Sequence, residues 1–252
     1  MLDSRLDSRL TTRAVAAAFG ALLVALPAGA ADAATPARAA TAGGSITTAA
    51  AAHAARGDVT TRADIDGDGR PDVTSFRSIV RAGKRTGYEL SVRTATRRTA
   101  TTRIAIDDLG MDQPASDFWV GVTGIDGRRG NEIVLDLVGG IGDATDVRSY
   151  AWRDGHIVLV PAAGSTARWP NWQIGIVEFG HVLGYTFGVG PRGVRQVTKH
   201  DLKGSRSGRT FTGTHTLYRW SGDGWRRQSS KTVSVPRKAA RAFSGLHGLT
   251  WR

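Results

Sequence analysis

From residue 57 onward, apolar and polar side chains alternate with period two far more often than they follow helical spacing, which predicts strands rather than helices. The alternation places strands at Val73–Ile79, Tyr88–Thr94, Thr99–Ile106, Phe118–Thr123, Glu132–Leu137, Asp146–Trp152 and His156–Val160. It continues with Trp172–Glu178, Val182–Gly188, Val194–His200, Thr210–Trp220 and Trp225–Val235. Gly, Asp and Asn clusters separate these segments as turns. Asp154-Gly155 and Asp223-Gly224 each follow a Tyr-x-Trp and precede a new strand, so both predict β-hairpins. Tyr and Trp two residues apart share a strand face and are expected to pack a core. A short helix is expected at Arg237–Phe243, with Leu246 and Trp251 packing back beyond it.

The fold class expected is therefore all-β. Aligned without gaps at an offset of 60 residues, Ile65-Asp66-Gly67 meets Ile125-Asp126-Gly127 and Asp72-Val73 meets Glu132-Ile133, so an acidic loop followed by a strand occurs twice. Such duplication predicts repeats of one small sheet each. There is room for about three antiparallel, blade-sized units, too few for a closed toroid. A β-sandwich is the alternative arrangement.

Outside the strands the chain changes character. Arg5, Arg9 and Arg13 precede an apolar run, Ala14–Pro27, and two A-x-A patterns, which predicts a signal peptide over 1–33 cleaved after Ala30 or Ala33. The run is shorter than the ~20 residues a bilayer span needs, so no membrane anchor is expected. Residues 34–56 hold Ile46 as their one large aliphatic side chain and predict a flexible leader. The all-β domain is then expected over 57–235, followed by a basic C-terminal segment, 236–252. An exported chain without cysteine has no disulfides and no thiol chemistry, which leaves a metal as a candidate source of rigidity.

Residues 64–72 read D-I-D-G-D-G-R-P-D. Calcium takes six to eight oxygens at about 2.3–2.6 Å, and alternate positions of a tight loop supply them. Asp64, Asp66, Asp68 and Asp72 are the expected carboxylate ligands to Ca2+, with the Arg70 carbonyl a fifth. Gly67 and Gly69 let the backbone close, and Pro71 fixes φ before the last ligand. The segment is not an EF-hand, because Ser75 stands where the bidentate Glu belongs. It is not a phosphatase D-x-D motif either, since Val59-Thr-Thr-Arg-Ala63 is too polar for a buried strand. D-x-D-x-D-G-x-x-D followed by a strand resembles the calcium loop of FG-GAP or VCBS repeats, the units of integrin-α-like propellers. That resemblance implies a loop between antiparallel strands that calcium rigidifies without doing chemistry. The second copy has Gly124 and Arg128 in place of the first and third carboxylates, so it is expected to hold no metal, with Arg128 supplying the positive charge.

The whole net charge of +12 sits in the last 61 residues, where 14 basic residues face only Asp201 and Asp223. This asymmetry points to an extracellular polyanion, a cell-wall polymer or acidic glycan, or else to an extracellular protein partner. Arg192, Arg195, Lys199, Lys203, Arg206 and Arg209 form its densest stretch, and export argues against nucleic acid as the target. Histidines are scattered without zinc spacing, and G-x-S-x-G is missing because Arg206 stands where its serine belongs. A non-enzymatic, calcium-binding secreted protein is the expectation. A secreted hydrolase with an unrecognised active site is the alternative.

Overall fold

The computed structural model describes residues 57–105, 113–137, 143–177 and 180–252. The signal and leader expected before residue 57 lie outside the described residues. So do Ile106 and Glu178, the last positions of two expected strands.

The chain is all-β and mostly antiparallel, in two open sheets. The first sheet is a meander of β1 (Val59–Ala63), β2 (Asp72–Arg81), β3 (Lys84–Arg93) and β4 (Thr99–Ile104). The second begins with another four-strand meander: β5 (Trp119–Thr123), β6 (Glu132–Leu137), β7 (Asp143–Arg153) and β8 (His156–Val160). Val59–Ala63 and Trp119–Thr123 are 60 residues apart at both ends, and Asp72 opens β2 as Glu132 opens β6. The offset seen in the loop motif is thus an offset of whole strands. Fourteen of the described segments are strands, and β1 and the late β14 (Gly245–His247) are the two that periodicity does not mark. β1 escapes because it is an edge strand paired only with β2, with Thr60 and Arg62 exposed and only the small Ala63 fully buried.

The third part is not another copy. β9 (Trp172–Val177), β10 (His181–Val189), β11 (Arg195–Gly204), β12 (Thr210–Trp220) and β13 (Trp225–Pro236) form a five-strand antiparallel ribbon. It joins the second repeat through β9, which pairs with the start of β7 while β8 pairs with its end. The edge of β10 forks in the same way between β9 and the parallel β14. A Pro-initiated single-turn helix, α1 (Arg237–Arg241), lies between β13 and β14.

Both expected hairpins form, by different means. Arg153 faces His156 across Asp154 and Gly155, which carry φ of 51° and 90°, the two positive values a primed turn needs. Between Trp220 and Trp225 the turn is longer and the positive φ falls on Gly222, not on the Asp223-Gly224 pair.

Alternation along β6 divides the core. Ile133 and Leu135 face Phe76, Tyr88, Leu90 and Val92 of the first sheet, together with Phe118, Tyr150 and Trp152. Val134 and Val147 face the other way, toward Trp172, Tyr185, Phe187 and Val197. Trp172 is fully buried, donates its Nε1–H to Ser149 Oγ at 3.1 Å, and lies edge-on to Tyr185 at 4.8 Å. Leu246 and Trp251 pack into this second core, and the Arg252 N–H donates to the Val122 carbonyl at 2.9 Å. The C-terminal segment is therefore part of the packed unit and reaches back to the second repeat.

The two acidic loops meet directly. Asn131 Nδ2 donates to the Asp64 carbonyl at 2.6 Å, and a Cβ on Gly67 would sit 2.7 Å from the Arg129 backbone. Gly130 has φ of 91°, and a Cβ there would collide with the Ile65 carbonyl oxygen. Gly130→Ala therefore meets both a strained backbone and an overlap with main chain that no rotamer relieves. We expect it to lower stability by about 2 kcal/mol or more, measured by urea unfolding, whereas Gly69→Ala, which meets open space, is limited to the backbone term of about 1 kcal/mol.

Candidate metal loop and its arginine-filled copy

The β1–β2 loop is organised by its own carboxylates. Asp72 is buried where β2 begins: its Oδ2 accepts from the N–H groups of Ile65 (2.7 Å) and Asp66 (3.1 Å), and its Oδ1 from Ala95 N–H (2.8 Å) in the β3–β4 turn. One side chain thus ties the start of the loop to the next hairpin, with the strength of charge-assisted bonds. Asp64 accepts from Gly67 N–H at 2.8 Å and Gly69 N–H at 3.0 Å, and Asp66 from Asp68 N–H at 3.1 Å. These bonds explain the glycines, whose φ values of 83° and 84° turn the amides inward.

Of the expected ligands, Asp64, Asp66 and Asp72 converge, each placing an oxygen within 4.8 Å of the others. That spacing suits a cation that holds oxygens at about 2.3–2.6 Å. Asp68 does not join them. It is turned outward, accepting from Arg70 N–H (2.8 Å), Nε (3.1 Å) and NH2 (2.9 Å), and the Arg70 guanidinium holds its carboxyl below the usual range. Arg70 is fixed in the loop by the same three bonds. Burial raises the Asp66 carboxyl above its ordinary value; the carboxylates of Asp72, Asp68 and Asp64 push in the same direction, against the Asp68 N–H. Among the described residues no cationic side chain makes an ion pair with Asp64, Asp66 or Asp72. The residues present fit a divalent cation supported by three carboxylates, with Asp68 a fourth if it swings inward.

The β5–β6 loop repeats this frame with a different solution to the charge. Glu132 Oε2 accepts from Ile125 N–H at 2.6 Å, as Asp72 does from Ile65, and Asp126 Oδ1 accepts from Arg128 N–H at 2.8 Å, as Asp66 does from Asp68. Both carboxylates are almost fully buried, and Arg153, at the end of β7, bridges them: its NH2 pairs with Asp126 Oδ2 and lies 3.3 Å from Glu132 Oε1. The counter-charge is thus Arg153 and not Arg128, the residue expected from its place in the loop. Arg128 points away, bonding to the Gly222 carbonyl, lying 3.7 Å from Asp223 and packing over Trp220. Sequence reading missed Arg153 because it comes from the next hairpin. Its one signal was its place just before Asp154-Gly155, the turn that corresponds to the Ala95 turn of the first repeat.

The basic stretch of β11 is divided by the fold. Arg195 is half-buried and spends its guanidinium on the carbonyls of Ile125 (3.1 Å) and Gly124 (2.8 Å), bracing the second loop. Lys199 is half-buried beside Tyr185, while Arg192, Lys203, Arg206 and Arg209 are exposed. Histidines pair in two places. His181 Nε2 lies 2.7 Å from Asp201 Oδ1, and His200 Nε2 lies 2.9 Å from Thr186 Oγ1. Burial, then His215 and His247, holds His200 down to about 4, so it is neutral near pH 7 and packs between His215 and Phe243.

In the second loop two buried carboxylates share one guanidinium. Burial, then the neighbouring Asp126, raises Glu132 to about 8. The folded state therefore keeps a proton that the unfolded chain releases near 4.5, and this contribution to stability is lost as pH rises from about 4.5 to about 8. Glu132→Gln removes the titration and should gain on the wild type by at most about 1.4 kcal/mol per pH unit across that window. Urea unfolding at pH 5, 6, 7 and 8 reads the difference, and parallel stability profiles would contradict the assignment.

Compared with protein-family models, with curated proteins and with solved structures, the chain matches none.

Proposed function

We propose that this chain is an exported, non-enzymatic binding protein whose first repeat is stapled by one calcium ion. The observation that carries the reading is the contrast between the two loops. The same turn, with a carboxylate at the start of the following strand, is built twice. In the second copy a guanidinium lies between the carboxylates, whereas in the first three aspartates converge and their one loop cation, Arg70, is spent on Asp68. A divalent ion supplies what Arg153 supplies in the copy. The loop's likeness to FG-GAP or VCBS calcium loops supports the same conclusion, and there the ion is structural. Calcium modules outside cells bind with Kd of about 10⁻⁴ to 10⁻³ M, so at low-millimolar calcium the ion contributes roughly 1–2 kcal/mol.

The partner in this reading is an extracellular polyanion such as a cell-wall polymer or acidic glycan. Its support is the exposed basic surface of the C-terminal quarter: Arg192, Lys203, Arg206 and Arg209, joined by Arg226, Arg227 and Lys231 on β13. The export signal lies in the N-terminal sequence. Among the described residues no helix is long and apolar enough to cross a membrane.

Two measurements test the reading. Calcium at 2–3 mM, compared with EDTA, should raise the melting temperature by about 3–6 °C, and Asp64→Asn/Asp66→Asn should abolish the rise. An unchanged melt would remove the staple. Retention on heparin or isolated cell wall should fall steeply between roughly 50 and 200 mM salt, as counter-ion release requires. Salt-insensitive or absent binding would remove the polyanion.

A further inference from the structure

The far end of the five-strand ribbon carries a cleft that neither acidic loop uses. It has a volume of about 560 Å³, within the roughly 300–1,000 Å³ range of small-molecule sites. Its apolar floor is Ile176, Val182 and Phe211. Its rim holds the β11–β12 turn, with Ser205, Arg206 and Ser207, and the two α1 arginines, Arg237 and Arg241. We infer that this cleft binds a small amphiphilic oxyanion, its phosphate or carboxylate held by Arg206, Arg237 and Arg241 and its apolar or aromatic body lying on Phe211.

Four features of the molecule carry the inference. The first is charge. Among the described residues no carboxylate lines the cleft and none pairs with any of the three guanidinium groups, although Arg70, Arg77 and Arg153 each have a carboxylate partner. The second is spacing. Arg237 and Arg241 are four residues apart on one helix face, where like charges repel, and Arg206 brings a third to the same rim. An anion between them turns this repulsion into attraction, and guanidinium forks match an oxyanion's geometry.

The third is rigidity. Ser205 N–H donates to the Thr210 carbonyl at 2.7 Å, Gly208 N–H to the Ser205 carbonyl at 2.8 Å, and Arg237 N–H to the Arg209 carbonyl at 3.0 Å. These bonds fix the turn and tie the helix to it, so the two sources of arginine are held in register. Ser205 and Ser207, whose hydroxyls lie 3.1 Å apart, add polar groups on the same rim. The fourth is shape. Gly204 keeps the wall open, since a Cβ there would press on the Phe211 ring at 3.2 Å, and Phe211 itself is buried as the floor. A ligand with only charge would leave that floor unused, and one with only an apolar body would leave the arginines unpaired.

The inference requires neither calcium nor a polymeric partner, and its test is separate from theirs. The mature protein is titrated by NMR with phenyl phosphate, benzoate, inorganic phosphate and benzyl alcohol, at constant ionic strength. Phenyl phosphate or benzoate should bind at least about tenfold more tightly than inorganic phosphate and than benzyl alcohol, and which of the two aromatic anions binds better identifies the headgroup. Arg206→Gln/Arg237→Gln/Arg241→Gln should weaken the best ligand by at least about tenfold with an unchanged melting temperature, because all three side chains are exposed. Arg226→Gln/Arg227→Gln, on β13, should leave it unchanged. The proposal is overturned by no binding up to about 10 mM, by equal affinity for inorganic phosphate, or by equal loss in both variants, which would mark general charge attraction.

Discussion

A carboxylate buried where a strand begins, accepting amide protons from the turn before it, is the interaction on which the two repeats depend. Asp72 and Glu132 each occupy that position, and each draws the loop in front of it onto the strand behind. The arrangement gathers acidic groups in a place that water reaches poorly, so it calls for a positive partner or a retained proton. In one repeat the partner is a guanidinium delivered by the following hairpin. In the other the aspartates crowd together and the space among them fits a cation from solution. The two loops thus share the amide bonds to the strand-initial carboxylate and differ in that only the second has a guanidinium paired to its carboxylates among the described residues.

The rest of the molecule is organised around those loops. They interlock through Gly67, Gly130 and Asn131, so the first sheet and the second meet at their loop ends as well as across the Phe76–Tyr88–Phe118 core. Arg195 of the ribbon and Arg128 of the second loop connect that loop to the third part of the fold. The first loop is therefore continuous with the packed structure through the second. The ribbon's exposed basic residues lie at both of its ends, Lys203, Arg206 and Arg209 around the β11–β12 turn and Arg226 and Arg227 directly after Trp225 of the aromatic core.

Much of this was legible in the sequence because β-structure with one buried face writes itself as alternation. β6, β8 and β12 begin and end where period two says, and the 60-residue offset of the acidic motif is the offset of the strands themselves. Part of what could not be read lies between distant residues, and part in local side-chain choices that spacing does not record. β1 is an edge strand with Thr60 and Arg62 exposed and only the small Ala63 fully buried, so it carries almost no apolar signal. Arg128 stood next to the carboxylates in sequence and Arg153 lay far from them, yet the hairpin brings Arg153 in while Arg128 leaves for Gly222. Asp68 belongs to the loop pattern by spacing but is captured by Arg70. Arg206 is brought to Arg237 and Arg241 by the pairing of β12 with β13, which the bond from the Arg237 amide to the Arg209 carbonyl extends by one step.

The measurement that bears most directly on this account is a calcium titration followed at individual backbone amides by NMR. One ion should bind per chain, shifting the amides of Gly67, Gly69 and Asp68 while those of Ile125 and Arg128, already settled around Arg153, stay in place. Equal shifts in both loops, or none in the first, would contradict the claim that one repeat takes its counter-charge from solution and the other from its own chain.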